Sequence, residues 1–323
     1  MPVESQMKTT EALLAKGWEA LPPSYRPPAS KPSLEAAQAF CKHLAETHYE
    51  NFHVASWFLP KRLRVHFHSI YAYCRVADDL GDEVGNREQS LALLDWWGDE
   101  LDRCYSGDAS HPVFVALADT IRICDIPRQP FADLLIAFRQ DQTITRYATM
   151  DEVLRYCRYS ANPVGRLVLY ASGYRDAKMF ELSDLTCTAL QLANFWQDVR
   201  EDYQRGRIYF PTADMQCFGV GEEVIAGGEP TLEFIALMRY EVNYARRMFT
   251  QGLPLISMVD HELALDLDLF SRGGIEILSA IEQQGYDVLK SRPSISKRTK
   301  VALMLRAVSA KLLPGSRVRG SSV

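Results

Sequence analysis

From Ser33 onward the apolar residues recur at helical spacing: Leu34, Ala37, Phe40, Cys41 and Leu44, then Phe67, Ile70, Tyr71 and Cys74, then Leu91, Leu93, Leu94, Trp97 and Leu101. Side chains three or four apart share one face of a helix, so each run predicts an amphipathic helix turned toward a core. Stops and starts agree. Gly85, Gly107 and Gly206 follow periodic segments, and Thr149 precedes Glu152 as a capping box for a helix through Tyr159. Alternating β-branched runs between tight turns do not recur, and no glycine-rich nucleotide loop appears. The expectation is all-α. Pro2, Pro22, Pro23, Pro27, Pro28 and Pro32 make residues 1–32 read as an extended leader, draped on the surface or disordered. One domain is expected over 33–313, followed by a basic tail over 314–323.

Composition narrows the function classes. The 323 residues are 47% hydrophobic and 24% charged, enough apolar surface for a sizeable core and too much for disorder. A net charge of -5 argues against nucleic acid as a partner of the whole surface. No apolar run approaches ~18 residues and no secretion signal opens the chain, which predicts a soluble, cytoplasmic protein. The seven cysteines are scattered without a CxxC pair and read as reduced thiols, with Cys74 and Cys157 serving packing. Only the stretch from Lys290 to Arg319 is locally basic. Its stripe of Leu303, Leu305, Leu312 and Leu313 suits either peripheral contact with an anionic membrane or a solvated terminal helix.

Candidate chemistry lies in two acidic stripes. IYAYCRVADDLGDEVG places Asp78 and Asp82 on one helix face, with Arg75 a turn earlier. Asp79 and Glu83 project about a quarter turn away, as supporting or solvated groups. LQLANFWQDVREDYQRGRIYFP aligns Gln191, Asn194, Asp198 and Asp202, because eleven steps of ~100° return to within ~20° of the start. Leu190, Leu192, Phe195, Trp196 and Val199 make that second segment apolar enough to be buried. Like charges four apart cost a few tenths of a kcal/mol on a helix, more when desolvated, so such pairs need a cation. Lys or Arg can supply it. So can Mg²⁺, which prefers oxygen ligands and binds through one or two carboxylates plus substrate phosphates. Two facing stripes would then clamp a diphosphate and help a carbon–oxygen bond ionise in a dry cavity whose aromatic faces stabilise the cation. A di-iron bundle is disfavoured, since Glu50 to His53 is the single ExxH where two are needed.

At these residues the chain resembles the squalene/phytoene synthase family, the head-to-head prenyl synthases, over roughly residues 35 to 290. HYENF from His48, LP at Leu59 and Pro60, YCRVADDLGDE, YCRYSANPVGRL from Tyr156 and QLANFWQDVREDYQRGRIYFP occur in family order. The resemblance implies an isoprenoid-synthase helical bundle around a central apolar cavity. It implies Mg²⁺–diphosphate ligands at Asp78, Asp82, Asn194, Asp198 and Asp202, with Mn²⁺ as a substitute metal. His48, Asn51, Arg75, Gln191 and Arg207 become diphosphate or polar contacts, and Tyr156 and Tyr209 line the cation cavity. His48 also suits plain helix-surface packing.

Departures within the motifs refine this expectation. Tyr49 and Asn51 stand where many members have serines, and Gln197 precedes Asp198 where some have arginine. With ENFHVAS and SANPVGRLVL, these features resemble the branch that turns presqualene diphosphate into hydroxysqualene by capturing the rearranged cation with water, without NADPH. Such an enzyme needs a polar group to hold the water. Asn162 is the candidate, with a helix-break before Pro163 as the alternative role. Condensation of two farnesyl diphosphates to presqualene diphosphate or squalene, phytoene synthesis, and a catalytically silent scaffold on the same fold remain open.

Overall fold

A computed structural model of the chain describes residues 3–47 and 61–296. The described residues form helices α1 (Val3–Gly17), α2 (Leu34–Thr47), α3 (Lys61–Asp82), α4 (Arg87–Tyr105), α5 (Pro112–Cys124), α6 (Gln129–Asp141), α7 (Met150–Ser160), α8 (Asn162–Ala171), α9 (Ala177–Gln197), α10 (Val199–Gln204), α11 (Thr212–Phe218), α12 (Glu222–Gly227), α13 (Leu232–Gly252) and α14 (His261–Gln283). Short 3₁₀ turns occupy Pro23–Tyr25 and Leu253–Ser257. No strand occurs among the described residues; Tyr147 and Pro211 form an isolated bridge. The fold is all-α, as the spacing predicts. The expected punctuation is present too. Thr149 accepts from the Glu152 amide at 3.4 Å, Glu152 accepts from the Ala148 amide at 2.6 Å, and Gly85, Gly107 and Gly206 have φ of 70°, 87° and 79°.

The chain divides into two compact units. The first comprises residues 1–143 and 167–174; the second comprises 144–166 and 175–323. In the first, α2, α3 and α5 pack on one another, and Tyr73, Trp97, Phe114 and Phe131 fill the centre without exposed surface. Trp97 lies 4.4 Å from Phe114, and the Tyr73 hydroxyl donates to the Phe131 carbonyl at 2.8 Å, which satisfies the phenol among these buried rings. Each such side chain contributes about 1.5–3 kcal/mol by leaving water.

The leader departs from the expected extended segment. Residues 3–17 are helical, α1 packs on α4, Trp18 meets Trp96 edge-on at 4.9 Å, and Leu21 and Tyr25 are buried. The prolines lie on either side of α1, whose interior is rich in helix formers such as Glu, Met, Leu, Ala and Lys.

In the second unit α9 is the central helix. Met179, Leu182, Ala189, Leu192, Ala193 and Trp196 are all buried, and the helix packs against α7, α13 and α14. A helix covered on several faces cannot be amphipathic, which fits its apolar sequence. Close approach of α8 to α9 depends on Gly165, where any Cβ would collide with Ser183 Oγ and Cys187 Sγ.

Candidate active site

The first acidic stripe lies on α3. Asp78 is half exposed and Asp82 exposed, while Asp79 is buried. Arg75 donates through Nη1 to Asp78 Oδ2 at 3.4 Å, through Nε to Asp79 Oδ2 at 3.1 Å, and through Nη2 to Asp79 Oδ1. The Tyr25 hydroxyl donates to Asp79 Oδ2 at 2.7 Å. Burial, with the Asp82 carboxylate next in weight, pushes the Asp78 pKa up to about 6 despite Arg75. Asp79 is thus a buried anchor for Arg75 rather than a solvated neighbour. Glu83 is exposed.

The second stripe spans a helix junction. α9 ends at Gln197 and α10 starts at Val199, with Asp198 between them at φ -106° and ψ 18°. The helical ladder nevertheless carries through: the Asp198 amide donates to the Asn194 carbonyl at 2.9 Å, and the Asp202 amide to the Asp198 carbonyl at 2.8 Å. Gln191, Asn194, Asp198 and Asp202 therefore keep the expected order along a segment that is broken rather than one continuous helix. Burial, then Asp198, pushes the Asp202 pKa up to about 7, opposed by Arg207.

Asp198 has a partner not foreseen from sequence. Arg292 donates to Asp198 Oδ1 at 2.5 Å and Oδ2 at 3.1 Å, and to Gln197 Oε1 at 3.1 Å. Gln197 in turn donates to the Pro293 carbonyl at 2.6 Å, and Arg200 to the Leu289 carbonyl at 2.9 Å. Residues 289–293 are thereby fastened along the second stripe. Arg292 belonged to the basic stretch considered for membrane contact; 297–323 lie outside the described residues, including Leu303, Leu305, Leu312 and Leu313.

An aromatic wall adjoins Asp202. Gly206 turns the chain back after α10, the Arg207 amide donates to the Asp202 carbonyl at 2.8 Å, and the Ile208 amide to the Thr145 carbonyl at 3.0 Å. Arg146 braces the turn through the Gly206 carbonyl at 2.7 Å and Glu222 at 2.8 and 2.9 Å. This route lays Tyr209 flat on Phe195, with centroids 3.7 Å apart, and puts Tyr147 and Tyr156 within 5.8 and 5.9 Å of Tyr209. Asp202, Arg207, Phe195, Trp196, Tyr209 and Phe210 are among the residues lining one small recess. Tyr147 and Phe195 carried no motif signal as wall residues.

Asn162 is buried at the start of α8, and its Oδ1 accepts from Thr188 Oγ1 at 2.9 Å. His48 and Asn51 lie outside the described residues. All seven cysteines are free thiols; burial pushes Cys74 and Cys157 up to about 12, as inert packing groups. Among the described residues no three His, Cys, Asp or Glu side chains converge as a metal-ready cluster. Each stripe contains one carboxylate, Asp78 or Asp202, whose proton affinity is raised toward neutral pH. That is the condition in which a divalent cation replaces a proton, and the hard oxygen donors suit Mg²⁺.

The squalene/phytoene synthase family model matches residues 45–299. The chain belongs to the squalene/phytoene synthase family. Its members are enzymes that process prenyl diphosphates. The crystal structure of squalene synthase HpnC from Alicyclobacillus acidocaldarius is 42% identical, covering 84% of this chain and 98% of that one, with a TM-score of 0.76. Hydroxysqualene synthase of Sinorhizobium fredii is 31% identical over 81% of this chain and 87% of its own length. The 15-cis-phytoene synthase of Synechococcus elongatus is 28% identical over 87% of this chain and 97% of its own. The all-α isoprenoid-synthase fold accords with these likenesses. No described helix is long and apolar enough to cross a membrane.

Proposed function

We propose that the chain is a hydroxysqualene synthase, converting presqualene diphosphate and water to hydroxysqualene and diphosphate. The carbon–oxygen bond ionises, diphosphate leaves with the bonding electrons, the cyclopropylcarbinyl cation rearranges, and water adds its oxygen and loses a proton. Asp78, Asp82, Asn194, Asp198 and Asp202 would hold Mg²⁺, or Mn²⁺ in its place. When bound, the metal neutralises charge on the leaving diphosphate. Arg75, Arg207, Gln191, His48 and Asn51 orient the phosphates. Tyr156, Tyr209, Tyr147 and Phe195 present ring faces to the cation and exclude bulk water. Asn162, its carboxamide steadied by Thr188, holds the nucleophilic water. No NADPH takes part, because no hydride is added.

The observation that carries the reaction class is the recess in which Asp202 and Arg207 stand beside the Phe195–Tyr209 stack. A charged mouth against an aromatic wall fits departure of an anion and survival of a cation. The branch is supported by 31% identity with the hydroxysqualene synthase and 42% with the squalene synthase HpnC, against 28% with the phytoene synthase. Incubating purified protein with presqualene diphosphate and Mg²⁺, without NADPH, should yield hydroxysqualene. Turnover of geranylgeranyl diphosphate to phytoene in its place would move the chain to the second reading, which coverage of 97% of the phytoene synthase favours. Release of no diphosphate from any of these substrates would leave the silent scaffold. Because substrate and product are lipids, the basic segment beyond Lys290 is proposed to touch anionic membranes; cosedimentation with phosphatidylserine vesicles at low salt tests that contact.

A further inference from the structure

The buried acid of α3 points to a role for the leader. We propose that Tyr25 and Asp79 are positioning residues that hold the Arg75 guanidinium for the substrate diphosphate, which makes the N-terminal leader part of the site. This rests on the reading above that Arg75 contacts diphosphate.

Asp79 is 5% exposed and Tyr25 1% exposed. A buried carboxylate is costly unless its lone pairs are met, and here they are met by three donors: Tyr25 Oη at 2.7 Å, Arg75 Nε at 3.1 Å and Arg75 Nη2. The contact is a two-pronged fork, which fixes the plane of the guanidinium as well as its position. It uses the Nε edge. The Nη1 group is left directed toward Asp78 at 3.4 Å, on the same side as the acidic stripe, with its remaining N–H available to an anion.

Tyr25 is itself anchored. Its carbonyl accepts from His111 Nε2 at 3.2 Å, while His111 Nδ1 accepts from the Val113 amide at 3.3 Å. That pair of bonds requires the neutral Nε2–H tautomer. The ring is enclosed by Trp97 at 5.1 Å, Trp96 at 5.8 Å and Phe114 at 6.1 Å. A chain of contacts thus runs from the N-cap of α5 through the leader to Arg75. A leader that merely covered the core would need the Tyr25 ring but not its hydroxyl.

The test is calorimetric titration of the full-length protein with inorganic diphosphate in the presence of Mg²⁺, beside ¹⁵N spectra of the arginine Nε–H groups. Tyr25→Phe should keep the helical signal and weaken diphosphate binding about tenfold, as expected when a bond to a charged group is lost. Asp79→Asn should weaken it further, and both should broaden the Arg75 Nε–H resonance. Adding Tyr25→Phe to Arg75→Lys should cost little beyond Arg75→Lys alone, since both act through one guanidinium. Unchanged affinity and an unchanged Arg75 resonance in Tyr25→Phe would overturn the positioning chain, as would full additivity in the double variant. A parent protein that binds no Mg²⁺–diphosphate overturns the functional reading itself and Arg75's part in it.

Discussion

In the first unit Asp78 is balanced by a guanidinium three residues earlier on its own helix, whereas in the second Asp198 is balanced by Arg292, 94 residues further along the chain. The local arrangement is partly buried: the Arg75 side chain is 28% exposed and that of its main partner Asp79 6%. The distant one is wetter, with Arg292 at 48% and Asp198 at 29%. Two DxxxD motifs face the same like-charge repulsion and meet it differently. Where the counter-charge is buried with its acid, removing it strands an ion; where water reaches both partners, the loss is shared with solvent.

Substitutions at the outer carboxylates should have the largest effects. Asp82→Asn and Asp202→Asn should each lower the rate of diphosphate release by about 10²–10³-fold, with helical content unchanged, as measured by phosphate-coupled assay after pyrophosphatase. A drop at one stripe alone would break the idea that the two act together. Next, Arg75→Gln should destabilise the protein by about 3 kcal/mol in urea unfolding, because Asp79 is left buried without its main partner.

Acid and alkali should separate the units. Burial lowers the His111 pKa from 6.5 to about 4, so between those values the unfolded chain holds the proton and the fold does not. Stability of the first unit therefore rises with pH, and about 3 kcal/mol is lost as pH falls from 6.5 to 4. Glu241 on α13 runs the other way. Burial, then the Asp214 carboxylate, raises its pKa from 4.5 to about 9. The fold now holds the proton, so its contribution is complete below pH 4.5 and is lost as pH rises through 9, with about 3 kcal/mol gone by pH 7. Amide exchange read separately over 87–124 and 232–252 should show opposite pH slopes, and Glu241→Gln should flatten the second. The smallest effect belongs to Arg292→Gln: at most about 1 kcal/mol of stability, since its ion pair is half solvated. A loss matching that of Arg75→Gln would erase the contrast between the stripes.

Much of this was legible along the chain. Helical periodicity, the Thr149–Glu152 cap, the left-handed glycines and the order of the motif residues are all local, and local rules describe them. The same reach explains what stayed hidden. Tyr25 to Asp79 spans 54 residues and Arg292 to Asp198 spans 94, and pairs that distant leave no periodic trace. The break at Asp198 is equally silent, because the backbone ladder continues across it. For α1 a local signal existed, but proline density counted over the whole leader obscured a proline-free stretch of helix formers. Thr188, which fixes Asn162, becomes visible only once Gly165 lets two helices approach.

The first unit is discontinuous: residues 167–174 belong to it, and Leu167 and Ala171 lie in its core. A nascent polypeptide leaving the ribosome must therefore expose that unfinished core until Tyr174 has emerged, by which time the opening of the second unit is already outside. Vectorial synthesis cannot complete the N-terminal half first, and the interval between residues 143 and 174 is when a chaperone would find the most unprotected apolar surface.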